Sequence, residues 1–227
     1  MRTALRMLVG LMTAGLVLSF GSLPTRADSV NNGSFETPTV PTGSYTDFAS
    51  GSTGITGWTV VGAAGGVSIV SGTFTQNGIS FPAESGSQWL DLTGQGTNST
   101  EGVEQSIATV SGTKYNASFW VGNVYNPGGI FGTTSTVDVY ANGMLLGAFT
   151  NSSTTPGIQV WEQFFTTFTA TGPTTTIEFL NADPANDNSN GLDNVTVNAA
   201  GGTPVPEPGT LSLVAAGLFG LLLRKVV

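Results

Sequence analysis

Between residues 29 and 198 apolar and polar side chains alternate in short runs and do not recur every three or four positions. Period-two runs rich in Val, Ile, Phe, Thr and aromatics, bounded by Gly, Asn, Ser and Pro, are the mark of half-buried strands. The clearest cover residues 55–61, 67–70, 88–92, 103–108, 114–121, 136–140, 145–150, 161–169, 174–180 and 192–198. Asn142-Gly143 lies between two apolar runs and predicts a two-residue hairpin, because both residues accept positive φ. About ten short strands in ~170 residues predict an all-β fold, a β-sandwich. No repeat of about 20–50 residues stands out, which disfavours a propeller or solenoid.

The alternation also assigns faces. Tyr115, Ala117, Phe119 and Val121 share one side of their strand, opposite Asn116, Ser118 and Trp120. Trp161, Gln163, Phe165 and Thr167 oppose Glu162, Phe164, Thr166 and Phe168, while Ile177 with Phe179 and Val195 with Val197 point inward.

Both ends break this pattern. Residues 1–27 predict a signal peptide: Arg2 and Arg6 precede an apolar run from Met7 to Phe20, and Thr25-Arg26-Ala27 offers a cleavage site after Ala27. At the other end, residues 201–208 form a linker carrying Pro206-Glu207-Pro208, and 209–227 predict a short hydrophobic helix closing on Arg224-Lys225. The prolines stop any helix entering from the N-terminal side and leave the linker extended. Residues 208–227 span about 30 Å as a helix, enough to cross a bilayer when the basic side chains snorkel. The Pro-Glu-Pro triplet, apolar stretch and basic tail resemble the PEP-CTERM sorting signal of Gram-negative bacteria. That resemblance implies export, transient anchoring in the inner membrane and processing by an exosortase as well as a signal peptidase.

Composition narrows the chemistry. The chain has no Cys and no His, which removes thiol catalysis, disulfides, Cys/His zinc sites and imidazole bases. Charged residues are 9% of the whole, against about 25% in an average soluble domain. Between Asp28 and Thr203 thirteen carboxylates face one cation, Lys114, a net of −12. A polyanion needs Lys and Arg against its phosphates, so nucleic acid is excluded as a partner; neutral ligands, divalent cations or a basic protein remain.

Five stretches, in order, carry a second resemblance: Asn32-Gly33-Ser34-Phe35-Glu36, Ile55-Thr56-Gly57-Trp58, Gly86-Ser87-Gln88-Trp89-Leu90-Asp91-Leu92, the strand around Tyr115 to Phe119, and Gly191-Leu192-Asp193-Asn194-Val195. Together they resemble the DUF642-type and related choice-of-anchor domains, which are in turn similar to galactose-binding-like jelly rolls. The resemblance places such a domain at residues 28–200 and implies a jelly-roll sandwich. By analogy it also implies binding of polysaccharide. In such modules a Glu and an Asp on neighbouring terminal strands often hold a structural Ca²⁺; carried over, these are Glu36 and Asp193, with turn or cap hydrogen bonds as the alternative reading.

Further candidates come from the residues themselves. The stretch 181–191, with Asp183 and Asp187 among four asparagines and Asp193 just beyond it, lacks the bidentate Glu of an EF-hand; it reads as a solvated turn with Asx motifs, though a cation could bind. Flat rings pack on sugar C–H faces while amides read hydroxyls. Trp58 and Trp161 sit where the resemblance expects core aromatics. Trp120 faces away from the core and precedes a glycine-rich loop, so Trp120, Asn123, Tyr125 and Asn126 form the candidate sugar surface; the alternative is a second layer packed over Trp120. Glycoside hydrolysis needs a carboxylate pair, and no two of the thirteen are marked as one. The chain therefore reads as a non-catalytic, exported carbohydrate-binding module of the cell envelope or extracellular matrix. A structural biofilm or envelope protein without a sugar site is the alternative, and a glycoside hydrolase the remote one.

Overall fold

The computed structural model describes residues 29–62, 65–94, 100–185 and 187–200. The expectations for residues 1–27, including Ala27, and for 201–227, including Pro206, Glu207, Pro208 and the terminal helix, fall outside them. The described residues hold thirteen strands: β1 Tyr45–Phe48, β2 Thr59–Val61, β3 Val67–Ser71, β4 Thr75–Gln76, β5 Ile79–Ser80, β6 Gln88–Asp91, β7 Gly102–Ala108, β8 Lys114–Val124, β9 Ser135–Ala141, β10 Met144–Asn151, β11 Gln159–Thr169, β12 Thr174–Asn181 and β13 Gly191–Ala199. Six form one antiparallel sheet in the order β1-β3-β6-β13-β8-β11, five form a second in the order β10-β9-β12-β7-β2, and β4-β5 is a separate hairpin. This is an all-β sandwich of the jelly-roll kind.

The two large sheets face each other over a core set by the alternation. Tyr115, Ala117, Phe119 and Val121 of β8 are all buried, as are Ile177 and Phe179 of β12 and Val195 and Val197 of β13. Phe119 lies at the centre, its ring 5.1 Å from Phe149 and 5.3 Å from Phe179 across the sandwich, both edge-on. Such contacts add to the area that each ring removes from water. The turn at Asn142-Gly143 joins β9 to β10 with φ of 48° and 75°, the two positive values that a two-residue hairpin of this type requires.

The five family stretches are tied to one another by hydrogen bonds and close packing. Asn32 (φ 55°) donates from Nδ2 to the Thr37 and Thr56 carbonyls, and its own carbonyl accepts from Trp58 Nε1 at 3.0 Å. Gly33 has no room for a side chain, since a Cβ there would lie 2.0 Å from the Val195 carbonyl oxygen. Gln88 reaches back with Nε2 to the carbonyls of Phe35 and Pro38, both at 2.6 Å. The segment that leads into β1 is thus held to β6 by side-chain to backbone bonds and to β13 by the backbone bonds of Ser29 to Val197 and Val195 to Gly33.

Candidate functional site

Glu36 and Asp193 meet the same loop, residues 84–88, on different amides. Glu36 Oε1 accepts from the Ser87 and Gln88 amides and Oε2 from Ser87 Oγ. Asp193 Oδ2 accepts from the Glu84 and Ser85 amides, both at 3.0 Å, and Oδ1 from the Asn194 amide at 2.7 Å. All four oxygens are therefore engaged in capping a turn. Burial pushes the Asp193 carboxyl up to about 7 against the lowering effect of these bonds, and the neighbouring Glu84 charge adds to the rise. Among the described residues no three acidic groups gather into a metal-holding set.

The predicted sugar surface does not assemble as one unit. Asn123 is 1% exposed; its Nδ2 donates to the Thr133 and Ser153 carbonyls and its Oδ1 accepts from Ser135 Oγ. The reason is register: β8 runs three residues past its expected end, and residue 123 falls on the inward side with Val121. Tyr125 bridges to Pro156 beyond the strand, and Asn126 Oδ1 accepts from the Phe131 amide within its own loop. Only Trp120 of the four lies on the outer face of the six-stranded sheet.

That outer face is divided into a roofed half and an open half. Over β3 and β6 the chain from Phe74 to Phe81, including β4-β5, folds back and packs Phe74, Ile79 and Phe81 on Val70, Trp89, Val124 and Phe131. The rings form a continuous series: Tyr45 to Phe74 at 5.5 Å, Phe74 to Phe81 at 5.6 Å, Phe81 stacked on Trp89 at 6.2 Å, and Trp89 edge-on to Trp161 at 5.9 Å. Trp161 is fixed by a bond from Nε1 to the Pro82 carbonyl (2.8 Å), and it lies flat over Gly122 and Gly191, where any Cβ would strike its ring. Under the roof is a cavity of about 370 Å³ lined by Trp89, Phe74, Phe81 and Tyr45 together with the polar Asp91 and Asn188. It falls at the small end of ligand pockets. Burial raises the Asp91 carboxyl to about 6, although its Oδ1 accepts from the Thr93 amide and hydroxyl and from the Asn190 amide.

The open half covers β13, β8 and β11. Trp120 pairs in register with Gln163 on one side and Asp193 on the other. The next row outward is Phe165, Ser118 and Thr196, and the next is Thr167, Asn116 and Asn198. Phe165 is 67% exposed, and it lies diagonal to Trp120, at a Cα spacing of about 7–8 Å by sheet geometry. Asp193 apart, the eight side chains of these rows carry no charge: two are aromatic and the others amides or hydroxyls. A shallow depression of about 460 Å³ lies in the two outer rows, with Phe165, Ser118, Asn116 and Thr196 on its walls, next to the row of Trp120. The indole N–H groups of Trp58, Trp89 and Trp161 each donate to a carbonyl; that of Trp120 has no partner among the described residues. Such an arrangement offers flat apolar faces beside uncharged donors and acceptors. Phe165 was not among the expected site residues: the alternation along 161–167 groups it with Trp161, and only the pairing of β11 with β8 puts that side with Trp120.

The fold and this face define an antiparallel β-sandwich with an aromatic, uncharged surface on one sheet. The chain belongs to the family described as "Protein of unknown function (DUF642)", whose model matches residues 28–198, and it carries a PEP-CTERM protein-sorting motif at 204–226. That motif marks it for export and sorting in Gram-negative bacteria, with processing by an exosortase. No curated protein matches the chain. Among solved structures, the Stig cyclase Fisc from Fischerella sp. TAU is similar at 20% identity and a TM-score of 0.55, over 76% of this chain and 96% of that one. The CBM22-1 xylan-binding domain of Xyn10C from Paenibacillus barcinonensis aligns at 18% identity and TM-score 0.39, over 70% and 94% of the two chains. A CBM35 from Paenibacillus barcinonensis aligns at 16% and 0.38, over 68% and 99%. These are likenesses of fold, and no catalytic family emerges from them.

Proposed function

We propose that this protein is a non-catalytic, polysaccharide-binding module, anchored briefly in the inner membrane by its C-terminal segment and released to the outer envelope or extracellular matrix after sorting. The observation that carries the reading is the open half of the six-stranded sheet. Trp120 and Phe165 stand there among amides and hydroxyls, on three neighbouring strands, with no charge in the two outer rows. Rings of this kind pack on the C–H faces of sugar rings, and the neighbouring Gln163, Asn116 and Ser118 supply donors and acceptors for hydroxyls. A net of −12 across residues 28–203 favours a neutral glycan over a polyanion.

The test is equilibrium binding of the full chain to a panel of neutral polysaccharides. Trp120→Ala and Phe165→Ala are each expected to weaken binding about tenfold, the scale of one lost ring contact, with the unfolding midpoint little changed. Absence of binding by a folded protein would favour a purely structural role in the matrix. Binding that both variants leave intact would move the site elsewhere.

A further inference from the structure

The chain between β12 and β13 reads in the sequence as a solvated turn, and the structure turns it inward. Asp183 is 8% exposed, Asp187 3%, and Ser189 and Asn190 are fully buried. Many of their polar atoms are satisfied. Asp183 Oδ1 accepts from the Thr136 amide, Asp187 Oδ1 from the Ser189 amide, and Asn190 Nδ2 donates to the Thr136 carbonyl and to Asn181 Oδ1. Three oxygens remain buried without a hydrogen-bond partner: Asp183 Oδ2, Ser189 Oγ and Asn190 Oδ1.

Buried polar atoms are nearly always paired, and each orphan calls for an explanation. A protein cation does not supply it here. Lys114, the one Lys or Arg among the described residues, is exposed at the start of β8, whereas this cluster adjoins Ser135, which bonds Asn123 near the far end of that strand. The two ends of β8 are roughly 30 Å apart. The cluster instead gathers acidic groups: Asp187 and Asp91 are the charged neighbours of Asp183.

We propose that these oxygens form a Ca²⁺ site in which Asp183, Ser189 and Asn190 are ligands and Asp187 supplies the second negative charge. Ca²⁺ takes six to eight oxygens, neutral ones included, in a flexible shell, and backbone carbonyls and water complete it. Mg²⁺ demands a stricter octahedron and keeps its water, which a buried set of side-chain oxygens serves poorly. The site is separate from the Glu36 and Asp193 pair, whose oxygens accept from backbone amides and the Ser87 hydroxyl.

The experiment measures thermal unfolding and calorimetric Ca²⁺ titration of the full chain after chelator treatment. Ca²⁺ is expected to bind at this site and to raise the midpoint by roughly 5–10 °C at about a hundredfold excess over its dissociation constant, with Mg²⁺ giving much less. Asp183→Asn should abolish that increment without lowering the midpoint in chelator, because Asn keeps an oxygen for the Thr136 amide and has no repulsion with Asp187. Ser189→Ala, which loses only an unpartnered hydroxyl, should keep the chelator midpoint and weaken Ca²⁺ binding about tenfold or more. Absence of both binding heat and midpoint shift in the unaltered chain would overturn the proposal. So would an increment that survives both variants and disappears in Glu36→Gln, since the ion would then sit at the other pair. Glycan binding is read separately, so either proposal can fail alone.

Discussion

Asn123 shows how far single residues could be read. The alternation that correctly turned Trp120 outward also turns residue 123 inward, but Gly122 and the glycines after it look like the start of a loop. The strand continues because β13 pairs it as far as Gly122 and β11 as far as Val124, and no local signal reports that. Once inward, Asn123 joins three segments through Thr133, Ser135 and Ser153. Asn123→Ala should therefore cost about 2–4 kcal/mol in urea unfolding, from several lost bonds and their stranded partners. Glycan affinity per folded molecule should stay unchanged; a loss of affinity at constant stability would return Asn123 to the binding surface.

Elements were legible where they were long. The runs that became β7 to β13 alternate over five residues or more and lie in strands of at least seven, and Asn142-Gly143 fixed one hairpin by its turn chemistry. The roof was not legible. Its strands β4 and β5 have two residues each, and β1 has four with three of them exposed, so no period can be counted and its burial depends on the sheet beneath. Asp193 of β13 fastens the end of that roof by accepting the Glu84 and Ser85 amides. Its carboxyl, held at about 7 by burial with Glu84 adding repulsion, binds its proton more tightly in the folded state than in the unfolded chain. The stabilisation this gives is complete below about pH 4 and is lost as the pH rises through 7. In chelator, with Asp91 at about 6 acting in the same direction, urea midpoints should fall from pH 5 to pH 8. Midpoints that are flat or rise over that range would contradict these buried carboxylates.

Across the whole molecule the class of fold followed from period-two alternation, while the expectation of neutral guests over polyanions rests on thirteen carboxylates against Lys114 between residues 28 and 203. The family stretches mark structure more than ligand contact: the side chains of Asn32, Glu36, Gln88 and Asp193 bond backbone groups, Gly33 packs against the Val195 carbonyl, and none of them lies in the open outer rows. The surface proposed to hold glycan lies instead on β8 and β11, where it takes two strands in register to bring Trp120 and Phe165 together. NMR of the full chain during titration with a neutral polysaccharide tests that placement most directly. The Trp120 indole N–H and the Phe165 ring should shift, while the buried Trp58 and Trp89 indoles stay fixed. Shifts confined to another face, or none from any neutral glycan, would contradict the account.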